Sequence, residues 1–193
     1  MKIGVLAAQG AFIEHIAVLN KLGVEAIPVR LPGQLSGLDG LIIPGGESTS
    51  ISNLIDAFGL RDEIKRLAEN GLPVFGTCAG MIMLASEITD GNKATPLGLM
   101  KISVRRNAFG RQVDSFEADL SIPALGSDPF PGVFIRAPFI TGVNNDVEVL
   151  ASLSDGTIVA ARQEKLLVSA FHPELTEDIR FHRYFLDIIE GKK

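Results

Sequence analysis

The first half of the chain alternates strand-like apolar segments with segments whose apolar residues recur at helical spacing. Residues 3–7, 24–29 and 41–43 have the length and composition of buried strands. Between the first two of these, apolar residues recur at helical spacing from Phe12 to Leu19. Repeated strand–helix–strand units form parallel sheets with helices on both faces. The pattern therefore predicts an α/β fold around a mostly parallel central sheet.

The second half has a different pattern, in which short predicted strands are separated by Gly and Pro turns. The predicted strands lie at residues 102–104, 116–120, 133–135, 147–153, 158–162 and 166–171. We expect them to pair antiparallel and to extend the central sheet, and we expect a final helix over residues 177–190. Residues 1–193 are thus predicted to form a single domain, a flavodoxin-like three-layer sandwich.

Composition excludes several classes of function. The chain has 193 residues, 46% of them hydrophobic, with a net charge of −5 and one cysteine. A single cysteine rules out an internal disulfide, as is usual in a reducing compartment. The acidic charge disfavours nucleic acid as a partner, and no apolar stretch reaches the length of a membrane span. Together with the short N-terminal apolar run, which does not resemble a signal peptide, these features predict a cytoplasmic protein.

A strand, a sharp turn and a helix are predicted around the only cysteine. Residues 72–75 are typical of a buried strand, residues 81–85 of a buried helix, and residues 76–80 between them read Gly-Thr-Cys-Ala-Gly. This is the pattern of a nucleophile elbow, with sulfur in place of the usual serine oxygen. The helix N-terminus favours the thiolate form of Cys78. A buried, chemically inert cysteine is the alternative, and the two flanking glycines favour the elbow.

A base and a residue to orient it are available far downstream, at His172 and Glu174 in the sequence His-Pro-Glu. Cys78, His172 and Glu174 therefore form a candidate catalytic triad. The other two histidines, His15 and His182, lie in helical patterns and are predicted to be surface or packing residues. No further ligand accompanies the three candidate residues at zinc-like spacing, so no metal site is predicted.

Loops at the carboxyl ends of the predicted strands should line the site. Residues 44–49, Pro-Gly-Gly-Glu-Ser-Thr, lack the Gly-Lys-Ser/Thr of a phosphate-binding loop. We expect backbone N–H groups near Gly46, together with the N–H of Ala79, to form an oxyanion hole. The alternative is a helix N-cap starting at Glu47 and Ser48, and both roles are compatible.

Two arginines are further candidates for binding a substrate carboxylate. Arg136 follows an apolar run, where an arginine needs a partner, either the substrate or a buried acid. Arg106 belongs to a local basic cluster with Arg105 and Arg111, for which a solvated loop is the simpler interpretation.

These motifs resemble those of class I, triad-type glutamine amidotransferases, and most closely those of the glutaminase subunits of pyridoxal 5′-phosphate synthase. The resemblance spans nearly the whole chain, and the stretch 106–117 is more specific than the triad; Ala108 stands there where the family usually has Ser. The stretches that carry the resemblance are residues 4–11, 44–49, 106–117, 133–138 and 171–178.

The resemblance implies a role for each matching position. Cys78 would be the nucleophile, His172 the general base and acid, and Glu174 the residue that orients His172. The implied glutamine-binding residues are Gly46, Glu47, Ser48, Arg106, Ile135 and Arg136. Glutamine would be hydrolysed through a γ-glutamyl thioester, with no cofactor on this chain.

The resemblance also implies a partner, a (β/α)8-barrel synthase subunit that receives the ammonia, in a complex of twelve synthase and twelve glutaminase subunits. Docking would involve Gln9, His15 and the helix after Gly46, and could rotate the peptide between Gly45 and Gly46, which two glycines permit at little cost. Two other hypotheses remain: an amidotransferase subunit such as the one that serves imidazole glycerol phosphate synthase, and a non-catalytic regulator with a similar elbow.

Overall fold

The computed structural model describes residues 1–91, 94–106 and 115–193, which contain five α-helices and twelve β-strands. The helices are α1 (Phe12–Lys21), α2 (Ser48–Ala57), α3 (Arg61–Glu69), α4 (Ala79–Leu84) and α5 (Arg180–Ile189). The strands are β1 (Lys2–Leu6), β2 (Glu25–Val29), β3 (Gly40–Ile43), β4 (Val74–Thr77), β5 (Ala85–Ile88), β6 (Met100–Arg105), β7 (Ser115–Leu120), β8 (Phe130–Ile135), β9 (Phe139–Val143), β10 (Glu148–Ser152), β11 (Ile158–Gln163) and β12 (Leu166–Ser169).

The parallel part of the central sheet has the strand order β2-β1-β3-β4-β12. All residues of β3 and β4 are buried, as expected for strands covered on both faces. Val5, Ile42 and Phe75 are aligned across β1, β3 and β4, and Thr77 is aligned with Ser169 of β12. The four strands therefore end at one edge of the sheet, where their loops meet.

The antiparallel extension continues from β12 through β11, β9 and β6, and β10 pairs antiparallel with β11 along residues 158–162. The predicted meander of β10, β11 and β12 is thus confirmed. Strand β5 was not predicted: α4 ends at Leu84, and Ala85 begins a strand that pairs parallel with β6. Its exposed Ser86 and Glu87 do not suit the buried helix predicted through residue 85.

One expectation about the sheet is wrong. Strands β7 and β8 do not join the central sheet but pair with each other in a separate two-stranded ribbon. Alternate residues of β8 are buried, so this strand needs cover on one face only. Phe130 and Phe134 provide that face, with ring centroids 5.7 Å from the ring of Phe171. The ribbon is thereby laid against the core beside the end of β12.

The last helix begins at Arg180, three residues later than predicted. Asp178 accepts a hydrogen bond from the backbone N–H of Arg180 and forms an ion pair with its guanidinium group. Within the described ranges, no helix combines the length and apolar character that a membrane span requires.

Candidate active site

Cys78 occupies a sharp turn between β4 and α4. Its backbone has φ 49° and ψ −106°, a conformation that side-chain-bearing residues rarely adopt. Its N–H donates a hydrogen bond of 2.7 Å to the carbonyl oxygen of Ser169 at the end of β12. The predicted elbow is therefore present, and the thiol-bearing residue is 7% exposed.

The two glycines that flank Cys78 are required by close backbone contacts. A Cβ atom built on Gly76 would lie 2.5 Å from the carbonyl oxygen of Gly80. A Cβ atom built on Gly80 would lie 1.9 Å from the carbonyl oxygen of Ile43 in β3. Any side chain at either position would separate α4 from the sheet, so the spacing Gly-x-Cys-x-Gly is a packing requirement of the turn.

His172 and Glu174 follow β12 and lie beside the elbow. The Nδ1 atom of His172 is 2.6 Å from Oε1 of Glu174, and both residues are buried. The backbone N–H of His172 donates to the carbonyl oxygen of Val133 in β8 at 2.8 Å. Glu174 lies in the 3₁₀ turn Pro173–Leu175, which directs its carboxylate back toward the imidazole. The ribbon and the turn together fix the orientation of His172.

The charges of the three residues reinforce one another. Burial alone would lower the pKa of His172, but its hydrogen bonds with Cys78 and Glu174, and the negative charges of both, raise that pKa to about 10. Burial would likewise raise the pKa of Glu174, but His15 and His172 hold it below its ordinary value. At neutral pH these shifts favour a protonated His172 beside an ionised Glu174.

The loop after β3 contacts both Cys78 and His172. Gly45 packs against the side chains of the two residues, and its N–H donates a hydrogen bond of 3.0 Å to Oγ1 of Thr77. The N–H of Gly45 is thus engaged, and the oxyanion-hole prediction depends on Gly46. Gly10 approaches from the loop after β1, with a φ of 82° and no room for a Cβ atom beside the carbonyl oxygen of Gly45.

Glu47 is the N-cap of α2, as the alternative interpretation of this loop predicted. Its carboxylate accepts hydrogen bonds from the N–H of Thr49 at 3.0 Å and the N–H of Ser50 at 2.7 Å. Partial desolvation raises the pKa of Glu47, but these hydrogen bonds and the Ser50 hydroxyl lower it below its ordinary value. Glu47 also faces the cavity, so the cap and a role in binding remain compatible.

A cavity of about 450 Å³ opens over the elbow. All the predicted site residues except Glu174 line this cavity, and Glu174 lies behind His172. The predicted residues in its wall are Gly46, Glu47, Ser48, Cys78, Ala79, Arg106, Ile135, Arg136 and His172. The structure therefore brings together residues from five separate segments of the chain.

Comparison with known proteins agrees with this geometry. A sequence profile of the SNO glutamine amidotransferase family matches residues 5–191. The chain belongs to the SNO glutamine amidotransferase family. Two relatives, both described as pyridoxal 5′-phosphate synthase subunit PdxT, come from Herpetosiphon aurantiacus and Dehalococcoides mccartyi strain BAV1. The first is 60% identical over 97% of this chain and 100% of its own length, and the second 57% identical over 100% of both.

Two solved structures resemble this chain in fold. A crystal structure of a glutamine amidotransferase superposes with a TM-score of 0.92 at 52% identity, covering 97% of this chain and 98% of its own. The structure of PurLQS from Thermotoga maritima superposes with a TM-score of 0.70 at 19% identity, covering 100% and 99%. That second likeness concerns the fold alone. The α/β fold class predicted from the sequence is confirmed.

Arg106 and Arg136, the two arginines predicted to bind the substrate carboxylate, do not have the surroundings expected from the sequence. Arg136 is exposed, because β8 ends at Ile135 and the backbone turns there with a φ of 43° for Arg136. The expectation that an apolar run encloses this arginine is therefore wrong. Arg106 is half-buried, its Nε atom 3.5 Å from a carboxylate oxygen of Asp90. Residues 107–114, which include Ala108, Arg111 and most of the most specific stretch, lie outside the described residues.

His15 and His182 are the residues whose roles the sequence did not indicate. Both are completely buried, so the surface interpretation is wrong and the packing interpretation is confirmed. His15 Nε2 lies 3.4 Å from Oε2 of Glu174. The spacing of His15 with Val18 and Leu19 on the buried face of α1 was the available signal. Among the described residues, no cluster of His, Cys, Asp or Glu has the arrangement of a metal site.

Proposed function

We propose that this chain is the glutaminase subunit of a pyridoxal 5′-phosphate synthase. It hydrolyses L-glutamine to L-glutamate and ammonia and delivers the ammonia to a synthase subunit for vitamin B6 biosynthesis. The observation that carries the proposal is the row formed by Cys78 and His172, at the wall of a cavity large enough for an amino acid, and Glu174 behind them. The description of the relatives as PdxT subunits supports it.

In the first half of the reaction, the Cys78 thiolate attacks the side-chain amide carbon of glutamine. The carbonyl π electrons move to oxygen, and the N–H groups of Gly46 and Ala79 stabilise the resulting oxyanion. His172, already protonated, gives its proton to the amide nitrogen as the C–N bond breaks. Ammonia leaves, and the γ-glutamyl group remains on sulfur as a thioester.

In the second half, the neutral imidazole of His172 takes a proton from a water molecule, which attacks the thioester carbon. The C–S bond breaks, glutamate is released and the thiolate–imidazolium pair is restored. Glu174 accepts the hydrogen bond from Nδ1 of His172 throughout and so keeps Nε2 as the atom that exchanges protons. No redox step or cofactor is required.

The remaining cavity residues hold the amino-acid end of the substrate. The guanidinium groups of Arg106 and Arg136 suit the α-carboxylate, and the carboxylate of Glu47 suits the α-ammonium group. Ser48 and Ile135 complete the binding surface. Binding in this orientation would place the side-chain amide over Cys78.

The partner in this proposal is a (β/α)8-barrel synthase subunit, with twelve copies of each chain in the complex. Free ammonia would be protonated in bulk water near neutral pH, so direct transfer is needed. The ring of pyridoxal phosphate is built on the partner, and residues 1–193 act as one cytoplasmic glutaminase domain without a cofactor. Rotation of the peptide between Gly45 and Gly46 on docking stays a prediction.

The test is glutamate release from L-glutamine, measured with and without the synthase subunit of a close relative. We expect strong activation by the synthase and no turnover with Cys78→Ala, whose fold is checked by circular dichroism. Because the chain has one cysteine, a glutamine-directed alkylator such as 6-diazo-5-oxonorleucine should add once, at Cys78. Absence of both release and labelling with partner present would favour the non-catalytic hypothesis. Activation instead by imidazole glycerol phosphate synthase would indicate the other amidotransferase.

A further inference from the structure

A second buried imidazole lies directly behind the triad carboxylate, and the reaction above does not use it. His15 of α1 has its Nε2 atom 3.4 Å from Oε2 of Glu174 and 3.2 Å from Oγ1 of Thr77. Its Nδ1 atom lies 2.8 Å from Nε2 of His182 in α5. His15 and His182 have no exposed surface. A continuous row of buried polar groups therefore runs from His182 through His15 to Glu174 and the catalytic imidazole.

The carboxylate indicates which nitrogen of His15 carries the proton. Glu174 receives a hydrogen bond from His172 at Oε1, whereas Oε2 has no hydrogen bond of normal geometry among the described residues. If Nε2 of His15 were unprotonated, it could accept a hydrogen bond from the Thr77 hydroxyl, but its lone pair would lie 3.4 Å from this buried, negatively charged oxygen. With the proton on Nε2, the same contact becomes a donor facing an acceptor.

The far end of the row favours the same tautomer. When Nε2 of His15 carries the proton, Nδ1 accepts, so Nε2 of His182 must donate to it. The remaining ring nitrogen, Nδ1 of His182, is buried without a partner among the described residues. In this tautomer Nδ1 of His182 carries no proton and only its lone pair is unpaired. The opposite tautomer would leave a buried N–H of His182 without an acceptor, which costs more free energy.

Burial disfavours the charged form of both rings. Complete burial lowers the pKa of His15, although Glu174 acts to raise it. Burial, together with the proximity of His15, lowers the pKa of His182 well below its ordinary value. Neutral imidazoles at 2.8 Å must be paired as one donor and one acceptor, so the proton positions of the two rings are linked.

We propose that His15 is a positioning residue of the triad: its protonated Nε2, which lies 3.2 Å from Oγ1 of Thr77 and 3.4 Å from Oε2 of Glu174, holds the carboxylate against His172, and His182 sets the tautomer. This proposal rests on the function proposed above. His15 does not line the cavity. Its loss should therefore lower kcat and leave KM for glutamine nearly unchanged.

Three substitutions at position 15 separate orientation from packing. His15→Gln keeps an amide N–H near the place of Nε2, His15→Asn keeps one near the place of Nδ1, and His15→Leu keeps neither. Measured with the synthase subunit present, kcat should fall about tenfold to a hundredfold in the Leu and Asn variants, the range typical of residues that orient a functional histidine. The kcat of His15→Gln should stay close to that of the native protein. Equal kcat values in the Gln and Asn variants, whether high or low, would overturn the proposal.

A second measurement does not depend on turnover or on the stability of a variant. The chain has three histidines, so ring ¹⁵N resonances of the native protein can be assigned to His15, His172 and His182. We expect a protonated Nε2 and a bare Nδ1 in both His15 and His182. A proton on Nδ1 of His15 would overturn the proposal even if the glutaminase were active. If the protein showed the expected tautomers but no glutaminase activity, the proposed function would be wrong and the proposed tautomers would stand.

Discussion

Gly45 packs directly against the imidazole ring of His172. A Cβ atom at position 45 would lie 2.5 Å from Cε1 of His172 and 3.2 Å from Cβ of Cys78. The absence of a side chain at position 45 is therefore what allows the imidazole of His172 to lie next to Cys78.

Replacing Gly45 with Ala should displace the imidazole without unfolding the chain, because the clash involves one side chain at the edge of the cavity. A shift of about 1 Å in a reacting group can cost about a hundredfold in rate, and we expect a loss of that order in synthase-activated glutamate release. Gly33→Ala is the matched control, since nothing lies within 4 Å of a Cβ atom there. Equal activity of the two variants would contradict this account of Gly45.

The strained backbone of Cys78 predicts an unusual order of stabilities. Glycine tolerates φ 49° and ψ −106°, whereas alanine bears a strain of about 1–3 kcal/mol in such regions. Cys78→Gly should therefore be at least as stable to urea as Cys78→Ala. At Ala17, exposed in the middle of α1, the same change from Ala to Gly should cost about 0.5–1 kcal/mol. A Cys78→Gly variant clearly less stable than Cys78→Ala would show that the elbow stores no strain.

The raised pKa of His172 predicts how the triad responds to pH. Since the native pKa is about 10 and the ordinary value 6.5, the folded protein binds this proton more tightly than the unfolded chain does. The resulting stabilisation is complete below pH 6.5 and is lost as the pH rises through about 10. Cys78→Ser removes the thiolate and should lower the pKa of His172. Ring ¹⁵N titration of the two proteins measures this directly, and a native midpoint near 6.5 would exclude the thiolate–imidazolium pair.

The elbow and the contact between His172 and Glu174 could be predicted from the sequence because each depends on local constraints. Gly76 and Gly80 mark close backbone contacts, and His172 and Glu174 lie two residues apart, so a single short turn brings them together. Glu47 was ambiguous in the sequence between a cap and a ligand, and the structure shows the cap while leaving its carboxylate at the cavity wall.

The errors concern features that depend on contacts between distant elements. The buried face of β8 packs on Phe171 of another element, so its alternating pattern did not reveal whether β8 joins the central sheet. His15 and His182 are 167 positions apart in the chain, and only packing of α1 and α5 on the same side of β4 brings their rings together. The position of a polar residue on the buried face of a helix indicates that its side chain has a hydrogen-bond partner, but it does not identify that partner.

The position of β12 in the sheet has a consequence for how the protein is made. Cys78 lies at the end of a strand that the first 77 residues complete, whereas His172 follows β12, nearly half the chain later. During synthesis the nucleophile therefore leaves the ribosome long before His172 does. The nascent chain carries an ordinary thiol without its imidazole, and the reactive pair forms only when β12 inserts between β4 and β11. Chains interrupted before residue 172 lack this imidazole, so under the proposed function they should not hydrolyse cellular glutamine.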